Sequence, residues 1–518
     1  MCYMMAVGKK ASVDGSVMVA RNCDSISSDA VRLVSHPRKQ HPEGSYVQIP
    51  HSSETPDYSG EWTPRPPAIP QVRETYAYTA IALVKDTEDI EMVMGGINEF
   101  QVSAGASTGG PVKPEVDKLT PWPETVIGDY ITSLVLQRCR TAREGIEFLG
   151  KMTETYGART DNYIVADPDE AWLFEQYQGY HWAAVRVPDD SFIVEANIER
   201  IEEIDPEDPE NYRCDPDLIP FAAANGLWNP DSGEPFRASR AYCTTDDSIH
   251  RNGIDLPDFH HSRDRVWRGN MLLKPSAKLE RESPDGRFPL FLRPDRPVTL
   301  QDILTVLKDD YRGTDMDLYT IENEKYKAPV DINTGHYRFA PAWKMQRIIG
   351  CPNSTTSWIT QSRSWLPDPV GGLLWAGLSA AISSPHLPVY CSNTRTPAAY
   401  RIGDWGKESR YIHESAYWTF QVGGAIMNLF YDVTEDKVRG RWERFDERQF
   451  RMQPRIEEAA LAIHKDSQED AVEFLTAYSN SLAEEAFTIG KDIQVDLFTT
   501  LAKHNTPLRN LQPNLGPH

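Results

Sequence analysis

At 518 residues the chain is long enough for a large core and for about two to four average domains. With 40% apolar and 10% aromatic residues it is not a disordered polymer. Its 54 Lys and Arg against 76 Asp and Glu leave a net charge of −22, which excludes a generally basic nucleic-acid binder and disfavours adsorption to an anionic membrane.

The chain opens on two short apolar runs, Cys2–Val7 and Ser16–Arg21, which read as strands flanking Gly8–Gly15 with its Asp14-Gly15 turn pair. No basic start followed by a long apolar run is visible, so no secretory signal is expected. Residues Ser35–Pro70, rich in Pro, Ser and His, read as a surface excursion. A second strand pair is expected near Thr79–Leu83 and Glu91–Met94, followed by Gly95-Gly96-Ile97-Asn98-Glu99.

Helical spacing of Ile127, Ile131, Leu134 and Val135 predicts a helix over Glu124–Arg138. Thr141 and Glu144, in capping-box spacing, open a second helix that buries Ile146 and Leu149. The period then returns to two. Asn162–Ala166 and Ala171–Glu175 flank a Pro168-Asp169 turn, and Trp182–Val187 and Phe192–Ala196 flank Pro188-Asp189-Asp190. The acidic, Pro-rich Glu202–Asp217 reads as a solvated loop.

Val370–Ile382, the longest apolar stretch, is too short and too rich in Gly and Ala to span a bilayer and reads as a buried strand and turn. Gln468–Ile489, capped by Ser467, is the clearest late helix. Strands, a helix pair and strands again describe a layered α/β protein.

Seven cysteines scattered through the chain make no disulfide framework, and neither CxxC nor HExxH is present, so no metal is expected. Asn353-Ser354-Thr355 fits a glycosylation acceptor, but the absence of a signal makes it a plain polar turn. A reduced, cytoplasmic protein is the expectation.

Cys2 is the most informative residue. Removal of Met1 places a thiol and a free α-amine on one residue, with reference pKa values of about 8.5 and about 7.7–8.0, so the amine can take the thiol proton near neutral pH. The ordinary role of such a cysteine is a small buried hydrophobe at a strand start. The hairpin changes the balance. With Val7 opposite Ser16, the same register sets Cys2 opposite Arg21, whose charge favours thiolate. Asp24 lies three residues on, where it can hold an ammonium group or form a strand-end ion pair with Arg21.

Cys2, VGKKASVDGS and ARNCD together resemble the cysteine dipeptidases typified by bacterial dipeptidase A, within the N-terminal nucleophile (Ntn) hydrolases. Penicillin V acylases and bile salt hydrolases are relatives. The likeness continues in order through Gly95–Ser107, Asn162–Glu175, Val187–Ile201, Arg265–Ser276 and Gln361–Trp375, so it covers most of Cys2–Tyr431.

The resemblance implies a four-layer αββα sandwich, with an Ntn-hydrolase domain over 2–440 and a helical C-terminal extension over 441–518 packed on it. It implies hydrolysis of dipeptides with no cofactor. Cys2 would be nucleophile and its amine the base, with Arg21 and Asp24 orienting it. Asn197, in its Ala-Asn-x-x-Arg-Ile segment, would donate to the oxyanion. Ser107 stands where related acylases have a second Asn donor, and Arg265 resembles a site arginine, with Arg268 competing.

Two other functions fit the same resemblance: an N-acyl amide hydrolase of the penicillin and bile-salt kind, and a non-catalytic secernin-like regulator. Partners are expected to be small peptides, not nucleic acid or membrane, and a homo-oligomer stays open. Gly105–Gly109 also fits the serine elbow G-x-S-x-G, but Gly110-Pro111-Val112-Lys113-Pro114 is poor material for the helix an elbow needs. His260-His261 near Asp258 reads as a solvated pair, and Trp365 and Trp375 as core or pocket wall.

Overall fold

A computed structural model describes residues 2–24, 30–50, 65–83, 90–120, 122–128, 130–244, 248–251, 254–283, 287–314, 316, 347–403 and 409–504. Part of the Ser35–Pro70 excursion and the end of the 441–518 extension lie outside the described residues.

Two antiparallel sheets form the centre. The six-stranded sheet runs in the order Phe192–Glu195, Cys2–Val7, Val17–Asp24, Ser354–Ser362, Leu373–Gly377, Leu387–Tyr390. The eight-stranded sheet runs Tyr212–Cys214, Trp182–Arg186, Ala171–Gln176, Asp161–Ala166, Ser103–Thr108, Val93–Asn98, Tyr78–Leu83, Val31–His36. The solvated loop expected over Glu202–Asp217 thus supplies one short edge strand.

The strands alternate, and the alternation sorts the core. Cys2, Met4, Ala6, Val17 and Val19 face the eight-stranded sheet, where they join Ala104, Ala106 and Trp358. Tyr3, Met5, Val7, Met18 and Ala20 face the other way, against Ile303, Leu304, Leu307, Ala460 and Leu475 of the outer helices. Each fully buried side chain of this size contributes about 1.5–3 kcal/mol. Both faces of the first strand are therefore apolar, as a strand covered on two sides requires.

Helices Tyr130–Arg138 and Ala142–Tyr156 cover the eight-stranded sheet. Arg263–Leu273, Leu300–Leu307, Tyr431–His464 and Gln468–His504 cover the six-stranded one. The layers are helix, sheet, sheet, helix: the αββα sandwich expected.

Three boundaries differ from those expected. The first helix starts at Tyr130, because Gly128 adopts φ +61 and interrupts helical backbone. The last helix continues to His504 through Gly490, where a Cβ would lie 2.7 Å from Thr419 and 3.1 Å from Phe420. That glycine serves close packing of the neighbouring helix Ala416–Leu429. Helix Tyr431–His464 continues across residue 440, the expected boundary between domain and extension.

Asp446 of that helix accepts from Lys308 Nζ at 3.1 Å and from the His386 backbone nitrogen at 2.8 Å, all three fully buried. Trp375 is core, whereas Trp365 is half exposed at the surface.

Candidate active site

Cys2 points into the space between the sheets and is 5% exposed. The hairpin register pairs Cys2 with Cys23 and Met4 with Arg21, two residues from the expected pairing of Cys2 with Arg21. A slip of two leaves every side chain on its own face, because strand side chains repeat every second residue. Arg21 therefore still reaches the thiol, diagonally: its Nη2 donates to Cys2 Sγ at 3.1 Å and to Cys23 Sγ at 3.3 Å.

The guanidinium is anchored from the opposite sheet. Its Nη1 donates to the Met94 carbonyl, which also accepts from Trp358 Nε1 at 3.0 Å. Room for the Trp358 ring comes from Gly95 and Gly105, where a Cβ would come within 2.1 Å and 2.6 Å of the indole. Two glycines on adjacent strands thus set the position of the arginine beside the thiol.

The second sulfur, Cys23 Sγ, lies 3.7 Å from Cys2 Sγ. Its hydrogen bond, opposed by burial and assisted by Arg21, holds the Cys2 thiol well below the ordinary thiol range. Cys23 moves the other way, pushed up by the same hydrogen bond and by burial. Cys2 is the sulfur that ionises.

Asn197, just beyond the strand Phe192–Glu195, adopts φ +61, a left-handed conformation that Asn tolerates better than most residues. Its Oδ1 accepts from the Cys2 backbone nitrogen at 2.9 Å and from Arg265 Nη2 at 2.9 Å. Its Nδ2 donates to the Thr108 carbonyl at 2.6 Å and to Ser107 Oγ at 3.3 Å. Two donors on one side and two acceptors on the other determine the amide orientation. In this arrangement the amide hydrogens go to Thr108 and Ser107, and the carbonyl serves the Cys2 nitrogen. Ser107 stands behind Asn197 and supports it.

Arg265, fully buried, donates from Nη1 to the Cys2 carbonyl at 2.7 Å and from Nε to the His261 carbonyl at 2.6 Å. Arg268, one turn further along the same helix, instead forms a two-pronged pair with Asp309 at 2.7–3.0 Å. Of the two competing arginines, Arg265 touches Cys2.

Asp24 accepts from Arg347 Nη2 at 2.6 Å and Nε at 3.0 Å, and from the Ser354 hydroxyl. Burial opposes but Asp24 outweighs, so Arg347 is held above its ordinary value. The Asp24 carboxylate thus carries a buried arginine of its own, 323 residues away in sequence.

Cys23 and Arg347 were missed by reading the sequence as catalytic segments. Cys23 had a signal, since alternation puts residues 21 and 23 on one face. Arg347 had none, because nothing local links it to Asp24.

Behind Asn197 sit buried carboxyl groups. Burial pushes Glu195 and Glu175 each up to about 7. Glu195 Oε1 accepts from the Asn197 backbone nitrogen at 2.5 Å and from Asn162 Nδ2 at 3.1 Å.

Among the described residues no group of three or more His, Cys, Asp or Glu is disposed to hold a metal, and no helix is long and apolar enough to cross a membrane. Ser107 of the G-x-S-x-G match lies within the strand Ser103–Thr108, opposite Asn162, and the next helix begins only at Pro114. It occupies no elbow.

The sequence has clear relatives. It is 29% identical over 518 residues to a probable dipeptidase of Latilactobacillus sakei, covering 98% of this chain and 96% of that one. It is 30% identical over 496 residues to a probable dipeptidase B of Lactococcus lactis subsp. lactis (strain IL1403), covering 94% and 92%. Among solved structures, penicillin V acylase from Agrobacterium tumefaciens aligns over 75% of this chain and 86% of its own, with 12% identity and a TM-score of 0.31. The profile of peptidase family C69 matches residues 1–444, and the chain belongs to that family.

Proposed function

We propose that the protein is a cysteine-dependent dipeptidase that uses Cys2, freed of Met1, as nucleophile and its own α-amine as base. The observation that carries this is the double hold on one residue: Arg21 Nη2 on the thiol at 3.1 Å and Asn197 Oδ1 on the nitrogen at 2.9 Å. Membership of peptidase family C69 and the dipeptidase names of its relatives support the substrate class.

In the reaction, Cys2 Sγ attacks the amide carbonyl carbon and the carbonyl electron pair moves to oxygen. As the tetrahedral adduct collapses, the C–N bond breaks and the Cys2 ammonium protonates the leaving amine. The amine then takes a proton from water, which attacks the thioester, and the C–S bond breaks to return the Cys2 thiolate. Arg21 stabilises that thiolate both as nucleophile and as leaving group. Asn197 orients the amine by accepting one N–H, which leaves the lone pair for the thiol proton. The Arg265 charge beside the amine disfavours its ammonium form and keeps the base neutral. The reading places the protein in a reducing, cytoplasmic setting, in keeping with free thiols at all seven cysteines.

The test is a panel of free dipeptides and their N-acetyl forms, assayed with chelator present and after alkylation mapped to Cys2. Turnover of free dipeptides that survives chelator and vanishes with Cys2 alkylation is expected. Preference for N-acyl substrates would make it an amide hydrolase, and no turnover in Met1-free protein would leave a regulator.

A further inference from the structure

Cys23 stands directly across the hairpin from Cys2, its Sγ 3.7 Å from the nucleophile's, and one guanidinium nitrogen of Arg21 spans both sulfurs at 3.1 Å and 3.3 Å. Both thiols are buried, 5% and 3% exposed, which limits solvation of a charge on either. A thiolate at Cys2 can only accept hydrogen bonds, and the donors beside it are then Arg21 and the Cys23 S–H.

From this geometry we infer that Cys23 is a further residue of the catalytic machinery, whose S–H donates to Cys2 Sγ whenever that sulfur carries negative charge. The inference rests on Cys2 being the nucleophile.

The charge appears twice in the cycle, before attack and again when the thioester C–S bond breaks. A donor fixed at the sulfur helps most at the second point, where a lower thiol pKa makes a better leaving group. At the first point the effect is partial. Each unit of lowered pKa raises the thiolate fraction about tenfold below the pKa, yet intrinsic nucleophilicity falls with a Brønsted slope of about 0.4–0.5, so the net gain is about threefold. Other charges act on the same sulfur: Arg21 favours thiolate, and Asp24 opposes it. Arg347, paired with Asp24, is also within electrostatic reach of Cys2, and Arg265 holds the Cys2 carbonyl. Of these only Arg21 touches residue 23, at 3.3 Å, and Cys23→Ser keeps an acceptor for it.

The experiment compares Met1-free wild type with Cys23→Ala, Cys23→Val and Cys23→Ser, measuring the rate of Cys2 alkylation by iodoacetamide from pH 5 to 10 with mass mapping, alongside kcat/KM over the same range. Ala and Val both delete the donor, and Val fills the space if Ala unfolds. Both are expected to move the midpoint of Cys2 alkylation up by about one pH unit. They should also lower kcat/KM about threefold below that midpoint, with recovery above it. Ser keeps a donor and is expected to stay near wild type. A wild-type midpoint in Ala and Val overturns the inference, and so does a Ser variant that behaves like them, since that would be packing alone. Alkylation of Cys2 without loss of activity would instead remove the nucleophile reading, while the midpoint shift would still report the Cys23 donor.

Discussion

Asn197 Oδ1 and the Cys2 backbone nitrogen meet at 2.9 Å across 195 residues of sequence, and Arg265 closes the contact by holding both the Cys2 carbonyl and the same Oδ1. The nitrogen is therefore held by the tertiary structure, and its chemical state decides what it can do there.

A residue left in front of Cys2 turns that nitrogen into an amide, which still donates to Asn197 but has no basic lone pair. Protein with an uncleaved N-terminal tag is expected to fold with unchanged melting temperature and to lose about 10²–10⁴-fold in kcat/KM, the usual worth of a general base. Cutting the tag to leave Cys2 first should restore activity. Equal rates before and after the cut, with the mass checked, would assign the base elsewhere.

Asn197→Gly separates the hydrogen bond from the backbone conformation. Glycine accepts φ +61 without strain, so the fold should persist. The loss of Oδ1 should lower kcat on the order of 10²-fold and change KM little, because the contact orients the base and does not bind substrate. Steady-state kinetics beside a thermal melt reads both, and a loss confined to KM would contradict the orienting role.

Asp446 ties the helix Tyr431–His464 to the sheet region through Lys308 and His386. Asp446→Ala leaves a buried lysine unpaired and is expected to cost about 3–5 kcal/mol in urea unfolding. Burial opposes ionisation of this carboxyl, but Lys308 and His386 outweigh it and hold it below the ordinary range. Its folded pKa is thus below the unfolded value of about 3.9, so its stabilisation is present above that pH and is lost as pH falls through the folded pKa. Wild type should therefore lose stability on acidification below about pH 4 more steeply than Asp446→Asn.

Glu175 works in the opposite direction. It accepts from the backbone nitrogens of Arg200 and Ile201 and from the Tyr177 hydroxyl, but burial raises it to about 7. The folded state holds a proton that the unfolded chain releases near pH 4.3, so stability declines as pH rises from about 4 to 7 and is level above. That share is on the order of 3 kcal/mol. Glu175→Gln should make the decline between pH 5 and pH 8 shallower, read from unfolding free energies at both, with Glu195 supplying a similar share. An unchanged slope would mean the carboxyl is ionised throughout.

Local regularities made much of this protein legible. An apolar run located the strand Cys2–Val7, and a period of two located Asp161–Ala166 and Ala171–Gln176, because both signals are written in adjacent residues. Thr141 marked its helix, with its side chain accepting from the Glu144 nitrogen. The ordered segments starting at Cys2 carried the family. Register was different. Opposing Cys2 with Arg21 or with Cys23 keeps the same faces, so alternation cannot choose between them; the folded hairpin pairs Cys2 with Cys23. The partners of the site were equally out of local reach. Asn197 turning its carbonyl to Cys2, Arg265 rather than Arg268 facing inward, and Arg347 neutralising Asp24 are contacts between segments distant in sequence. Hydrogen bonds of that kind depend on where folded elements end up in space, and short-range residue patterns do not encode it.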